Sequence, residues 1–223
     1  HNHPQASFLP QVVSFALLGK SVFAARFPTA IVSALGIIIF YLMIRTLFNP
    51  RVSFFATVLF ATSHLWVALS RLALNNTQIV PFGLLTIWLL VLSIRTGKLR
   101  YFSLLGGTSA MMFYLYAGFR VFPVIVTLIL LLQLLLSAHR KRLAIGILLA
   151  VATFFLIGLP QLLFFAHNQR AFTDRTENIF ILGNSGEARQ WRENNYRGEG
   201  TASILVSQAK KTFFLWQTHN TSG

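Results

Sequence analysis

The feature that most constrains this chain is a succession of apolar runs at residues 28–44, 52–69, 79–94, 101–117, 121–136 and 143–165, within 173 residues that contain no carboxylate. A helix crossing about 30 Å of hydrocarbon needs roughly 20 apolar residues, and short basic turns separate these runs. Only 11% of the residues are charged and 55% are hydrophobic, with 22 Phe. An ordinary soluble domain carries about 25% charge, so the sequence describes an integral membrane protein. None of the runs alternates with the period of an outer-membrane strand. The expected fold class is all-α, a polytopic transmembrane helical bundle of about six crossings.

Residues 6–19 are apolar but number only 14 and include Pro10, which predicts an interfacial helix instead of a crossing. Lys20 and Ser21 then open a polar link to Arg26, and Pro28 is placed to start the first crossing, where its missing N–H does no harm. Three parts are expected: an external juxtamembrane segment at 1–27, a transmembrane core at 28–166, and an extramembrane loop at 167–223. In that loop residues 202–216 predict a surface helix. The chain starts at His1 without Met and ends in a polar tail, which reads as a piece of a longer protein.

The net charge of +14 would suit a nucleic-acid binder, but its distribution speaks against one. Twelve of the 19 Lys and Arg lie before residue 167, beside apolar runs, while all five acids come after residue 173. Alternating the crossings gathers eight basic residues (Arg45, Arg51, Arg95, Lys98, Arg100, Arg140, Lys141, Arg142) on one side, against Lys20, Arg26, Arg71 and Arg120 on the other. Cytoplasmic loops carry the basic excess, so the second group is expected to face outward across the cell membrane. The absence of cysteine removes disulfide and thiol chemistry.

The chemically suggestive residues fall on that outer side. Arg26, Arg71 and Arg120 have no carboxylate nearby to neutralise them, and a guanidinium is a planar fork suited to phosphate oxygens. An anionic ligand would fill that role, or each arginine would snorkel to lipid headgroups. Tyr116 and Arg120 share a helical face four residues apart, with Tyr114 close by. An aromatic belt at the membrane surface would equally account for the tyrosines. His64 precedes Arg71 by seven residues. His1 and His3 could hold a divalent metal but lack a third ligand nearby, so no metal site and no cofactor is assigned and a metal stays open. Asn75-Asn76-Thr77 and Asn220-Thr221-Ser222 fit the glycosylation acceptor pattern. No phosphate loop, dinucleotide fingerprint or nucleophile elbow is present.

His3-Pro4, then Phe23-Ala24-Ala25-Arg26-Phe27-Pro28, then Ala61-Thr62-Ser63 leading to Ser70-Arg71-Leu72-Ala73-Leu74, then Tyr114-Leu115-Tyr116 with Arg120 and Pro123, occur in a collinear order. That order resembles the polytopic glycosyltransferases related to protein O-mannosyltransferases and aminoarabinose lipid A transferases. The resemblance implies the C-type membrane glycosyltransferase fold and a sugar donor on a polyprenyl phosphate, used at the external face with membrane lipids as surroundings and an acceptor left open. It implies that Arg26, with Arg120 and Arg71 behind it, holds the donor phosphate, and makes His3, Asn76, Tyr114 and Tyr116 candidates for the substrate cavity. The family's catalytic acid is expected upstream of His1, so this stretch alone is expected to be inactive. Where the family often has an acid after the Ser-Arg step, this chain has Asn75 and Asn76. The rival reading is a non-catalytic transporter or lipid-binding subunit that uses the same arginines.

Overall fold

The computed structural model describes residues 8–72, 75–115, 117–137 and 140–168, and in the C-terminal stretch residues 190, 193–194, 203–207 and 210. The chain forms two compact units, residues 1–166 and 167–223. In the second unit the described residues from 190 onward are helical, and most of the surface helix expected at 202–216 lies outside them. The first unit is built from α1 (Leu9–Leu18), α2 (Val22–Leu47), α3 (Pro50–Thr62), α4 (His64–Arg71), α5 (Ile79–Thr96), α6 (Leu99–Leu115), α7 (Phe122–Leu136) and α8 (Arg140–His167). Short 3₁₀ turns stand at Asn75–Gln78 and Ala117–Val121, and no strand occurs among the described residues. The all-α polytopic class holds.

α1 has ten residues. At 1.5 Å per residue it rises about 15 Å, too little to cross. It buries Gln11 and Ser14 and leaves Leu9, Val12, Val13, Leu17 and Leu18 exposed.

α2 corrects the expected start of the first crossing. It begins at Val22, capped by the Ser21 side chain accepting from the Ala24 N–H at 3.1 Å, so Arg26 lies inside the helix and Pro28 in its second turn. An interior proline leaves the carbonyl four residues earlier without its N–H donor, here that of Ala24. The Ser14 hydroxyl donates to that carbonyl at 2.6 Å in a buried hydrogen bond. α1 is therefore docked onto α2 through the group that Pro28 leaves unsatisfied, which is how helices in lipid tolerate such breaks. Ser14→Ala should destabilise the unit by roughly 1 kcal/mol, the scale of hydrogen bonds between membrane helices. Pro28→Ala restores a backbone donor and should cancel most of that loss. Thermal unfolding of both single variants and the double variant measures the coupling, and an equal Ser14→Ala penalty with and without Pro28 would refute the arrangement.

The second expected crossing, 52–69, is not one straight helix. α3 and α4 meet at a 54° bend. Ser63 causes it by ending one helix and starting the next: its N–H bonds the Phe60 carbonyl at 3.3 Å, and its hydroxyl accepts from the Trp66 N–H at 3.3 Å. Among the described residues four helical segments are long and apolar enough to cross a membrane, or five if this bent pair makes one span, against the six expected. The difference is α6, with 17 residues. It carries polar and small residues on a face packed against protein, where Phe102, Leu105, Gly106, Ser109, Ala110, Met112, Phe113 and Leu115 are buried, while Leu104 and Met111 on the other side are exposed.

The core joins Leu89 and Leu90 of α5, Phe102 and Leu105 of α6, Val126 and Leu130 of α7, and Ala150 of α8. Two glycines set the α6–α8 spacing. A Cβ on Gly106 would lie 2.0 Å from the Ala150 carbonyl oxygen, and one on Gly146 would lie 2.6 Å from the Phe102 ring. Such close backbone approach is the usual use of small residues between membrane helices.

One end of the bundle is tied by basic side chains to helix C-termini. Arg95 donates to the Thr46 carbonyl, while the Trp88 indole N–H donates to the Thr46 hydroxyl at 2.9 Å. Arg142 Nε reaches the Gly97 carbonyl at 3.0 Å. Gly97 itself ends α5 at φ 60, its N–H bonding the Ser93 carbonyl. Cations at helix C-termini satisfy the last carbonyls and oppose the negative end of the dipole. These bonds bring the C-terminal ends of α2 and α5 and the N-terminal end of α8 to one side.

Candidate functional site

At the opposite end lie the N-terminal ends of α2, α5 and α7 and the C-terminal ends of α4, α6 and α8, and with them Arg26, Arg71 and Arg120. The three guanidinium groups have different surroundings. Arg26, one turn into α2, and Arg71, the last residue of α4, are exposed. Neither has a hydrogen-bond or ionic partner among the described residues. Arg26 gains nothing from the helix macrodipole, whose N-terminal end is positive and favours anions. Arg120, in the 3₁₀ turn leading into α7, is half-buried, and its guanidinium stacks over the Phe165 ring at 4.3 Å. Stacking of this kind fixes the plane of a guanidinium group.

Arg120 borders a groove of about 440 Å³ between α6, α7 and α8. Its walls are apolar, formed by residues such as Phe113, Val124, Leu128, Phe154, Phe155 and Leu162. Arg120 is the one charged side chain among the described residues that line it. The Ser109 hydroxyl, also lining the groove, is buried without a partner among the described residues. A long apolar wall bordered by one fixed guanidinium is suited to an amphiphile whose head is anionic and whose tail is hydrocarbon.

A second feature lies on α2. Thr29, Ser33 and Gly36 follow one another at i, i+4 and i+7, all buried. Gly36 lets Pro81 of α5 and the Trp66 ring come close, since a Cβ there would meet them at 2.9 and 3.1 Å. The hydroxyls of Thr29 and Ser33, the Trp66 indole N–H and the Gln11 amide are buried and have no hydrogen-bond partner among the described residues. Buried polar groups are nearly always paired, so four without a partner on α1, α2 and α4 stand out, two of them, Thr29 and Ser33, within two turns of Arg26. Sequence reading passed over this stripe. Its signal was present as small polar residues at helical spacing within an otherwise apolar run.

The other candidates are placed as follows. Tyr114 is half-buried and its hydroxyl donates to the Ile157 carbonyl at 2.9 Å, bridging α6 to α8 one turn before Pro160. His64 is exposed at the start of α4, on the same short helix as Arg71. Thr77 and Gln78 are buried, and the Thr77 hydroxyl donates to the Leu69 carbonyl at 3.4 Å, folding the 3₁₀ turn back on α4. His1, His3, Tyr116 and the Asn76 side chain lie outside the described residues. Among the described residues no three His, Asp or Glu cluster to hold a metal ion. The chain has no carboxylate before Asp174, and what Arg26, Arg71 and Arg120 offer an anion is charge stabilisation.

Residues 2–164 match the family model described as dolichyl-phosphate-mannose-protein mannosyltransferase. No curated protein and no solved structure matches the chain.

Proposed function

The chain belongs to the dolichyl-phosphate-mannose-protein mannosyltransferase family, membrane glycosyltransferases, and on that footing we propose that it transfers a sugar from a polyprenyl-phosphate donor at the external face of the membrane. The observation that supports this donor class is the apolar groove of α6, α7 and α8 with Arg120 at its border. A polyprenyl phosphate is a hydrocarbon chain with an anionic head, so the chain lies along the groove with its head toward Arg120, while the family resemblance makes Arg26 the first phosphate ligand and Arg71 a weaker one. The charge asymmetry of the loops supports an external location for this end.

In transfer, an acceptor hydroxyl attacks the anomeric carbon and the bond from that carbon to the phosphate oxygen breaks. The phosphate leaves with one more negative charge than it carried in the donor. Fixed guanidinium groups interact more strongly with that developing charge than with the donor, which lowers the barrier. The acceptor proton passes to a base that is not a carboxylate of residues 1–173, since none exists there. The buried hydroxyls of Thr29 and Ser33 supply hydrogen-bonding capacity on α2 within two turns of Arg26.

A polyprenyl phosphate bearing a diazirine in its first isoprene units tests this placement. Irradiation should label peptides of the groove around Val124 and Phe155, and excess unlabelled polyprenyl phosphate should suppress the labelling. Labelling confined to the outer faces of α3 and α4, or unaffected by the competitor, would dismiss the groove as the donor site.

A further inference from the structure

A second cavity, of about 730 Å³, opens at the other end of the bundle, where α5 and α7 terminate and α8 begins. Arg95, Arg140, Lys141 and Arg142 line it, together with Gln133 and Ser137. Three of the four cations are held in place by the chain itself. Arg95 bonds the Thr46 carbonyl, Arg142 the Gly97 carbonyl and Arg140 the Leu135 carbonyl, the last two at 3.0 and 3.2 Å. A guanidinium has five N–H donors, so each of these bonds leaves most of its fork available. Residues 1–173 contain no carboxylate that could neutralise the cluster.

We propose that this cavity is a binding site for the phosphate headgroup of an anionic phospholipid. The charge calls for a phosphate, and the flanking surface calls for a lipid. Leu135 and Leu136 at the end of α7 and Ile145 and Leu148 at the start of α8 are exposed apolar side chains beside the cavity, with Leu135 at 70% and Leu136 at 73% exposure. Acyl chains lie along them while the headgroup enters between Arg140, Lys141 and Arg142. A free phosphate would use the cations and ignore that apolar rim. The site stands apart from the donor groove and does not depend on the proposed transfer reaction.

Native mass spectrometry of the purified protein in neutral detergent tests it, with phosphatidylglycerol, phosphatidylcholine and inorganic phosphate as probes. One phosphatidylglycerol should be retained where phosphatidylcholine is not, and millimolar phosphate should not displace it. Each lysine or arginine near an anionic surface is worth about fivefold in affinity, so R140Q/K141Q should weaken retention about 25-fold. R45Q/R51Q removes the same charge from the same end but outside the cavity, and should leave retention unchanged. Lys141→Gln alone, at a side chain with no hydrogen bond to the described protein, should weaken it about fivefold and covers the case that the double variant misfolds. Equal losses in R140Q/K141Q and R45Q/R51Q, equal retention of phosphatidylcholine, or displacement by phosphate would each overturn the proposal.

Discussion

In the full-length protein, Arg26→Ala is expected to lower sugar transfer by roughly 10²–10³-fold, the usual cost of removing one charge-stabilising donor. Arg26 is exposed on α2 and bonds nothing among the described residues, so its loss should leave insertion and thermal stability unchanged. Its position one turn from a helix N-terminus makes a cation there electrostatically unrewarded unless an anion joins it. Arg26→Lys keeps the charge but loses the bidentate fork, and should recover only part of the rate. Arg120→Ala should also impair turnover, but it removes the contact with Phe165 as well, so part of its effect will appear as lost stability. Steady-state transfer rates with melting curves on the same preparations separate these cases. Wild-type turnover in a normally folded Arg26→Ala protein would return Arg26 to headgroup snorkelling.

The largest structural effect is expected at Gly106. A methyl group there would sit 2.0 Å from the backbone oxygen of Ala150, which cannot rotate away, so α6 and α8 must separate. Overpacking of this kind costs about 1–3 kcal/mol, and here the seam carries Phe102, Leu105 and Ala150 of the main core. A Cβ on Gly107, the next residue, would meet the flexible Ile157 δ-methyl at 3.3 Å and the Thr153 γ-methyl at 3.9 Å, both side-chain atoms. Gly106→Ala should therefore unfold at much lower temperature than wild type, with Gly107→Ala close to wild type. Similar melting of the two variants would show that the α6–α8 approach is not as close as described.

Much of this architecture is legible in the sequence, because lipid imposes a length and polarity rule that soluble cores do not. The short basic turn between the runs 79–94 and 101–117 is where α5 ends, with Gly97 as its left-handed cap. The Gly106-Gly107 pair is visible in the sequence as two small residues inside an apolar run, and Gly106 is a close-packing site. What stayed hidden depends on partners distant in sequence. Pro28 looked like a helix start because nothing local supplies the lost bond, whereas Ser14 supplies it from another helix. The bend at Ser63 is masked because Thr62-Ser63-His64 is a brief polar interruption of a long apolar run, and a serine that caps two helices looks no different from one that lies within a single helix. Arg120 could be picked out as a lone cation, but the groove beside it needs three helices and has no signature in any one of them.

The donor class is the centre of the account, and transfer in vesicles reads it directly. Membranes carrying the full-length protein, supplied with sugar-labelled polyprenyl phosphate or with the same sugar on a nucleotide, should turn over the lipid-linked donor and release polyprenyl phosphate in an Arg26-dependent manner, while the nucleotide sugar stays intact. Turnover of the nucleotide sugar at a comparable rate, or no Arg26-dependent release of polyprenyl phosphate, would contradict it.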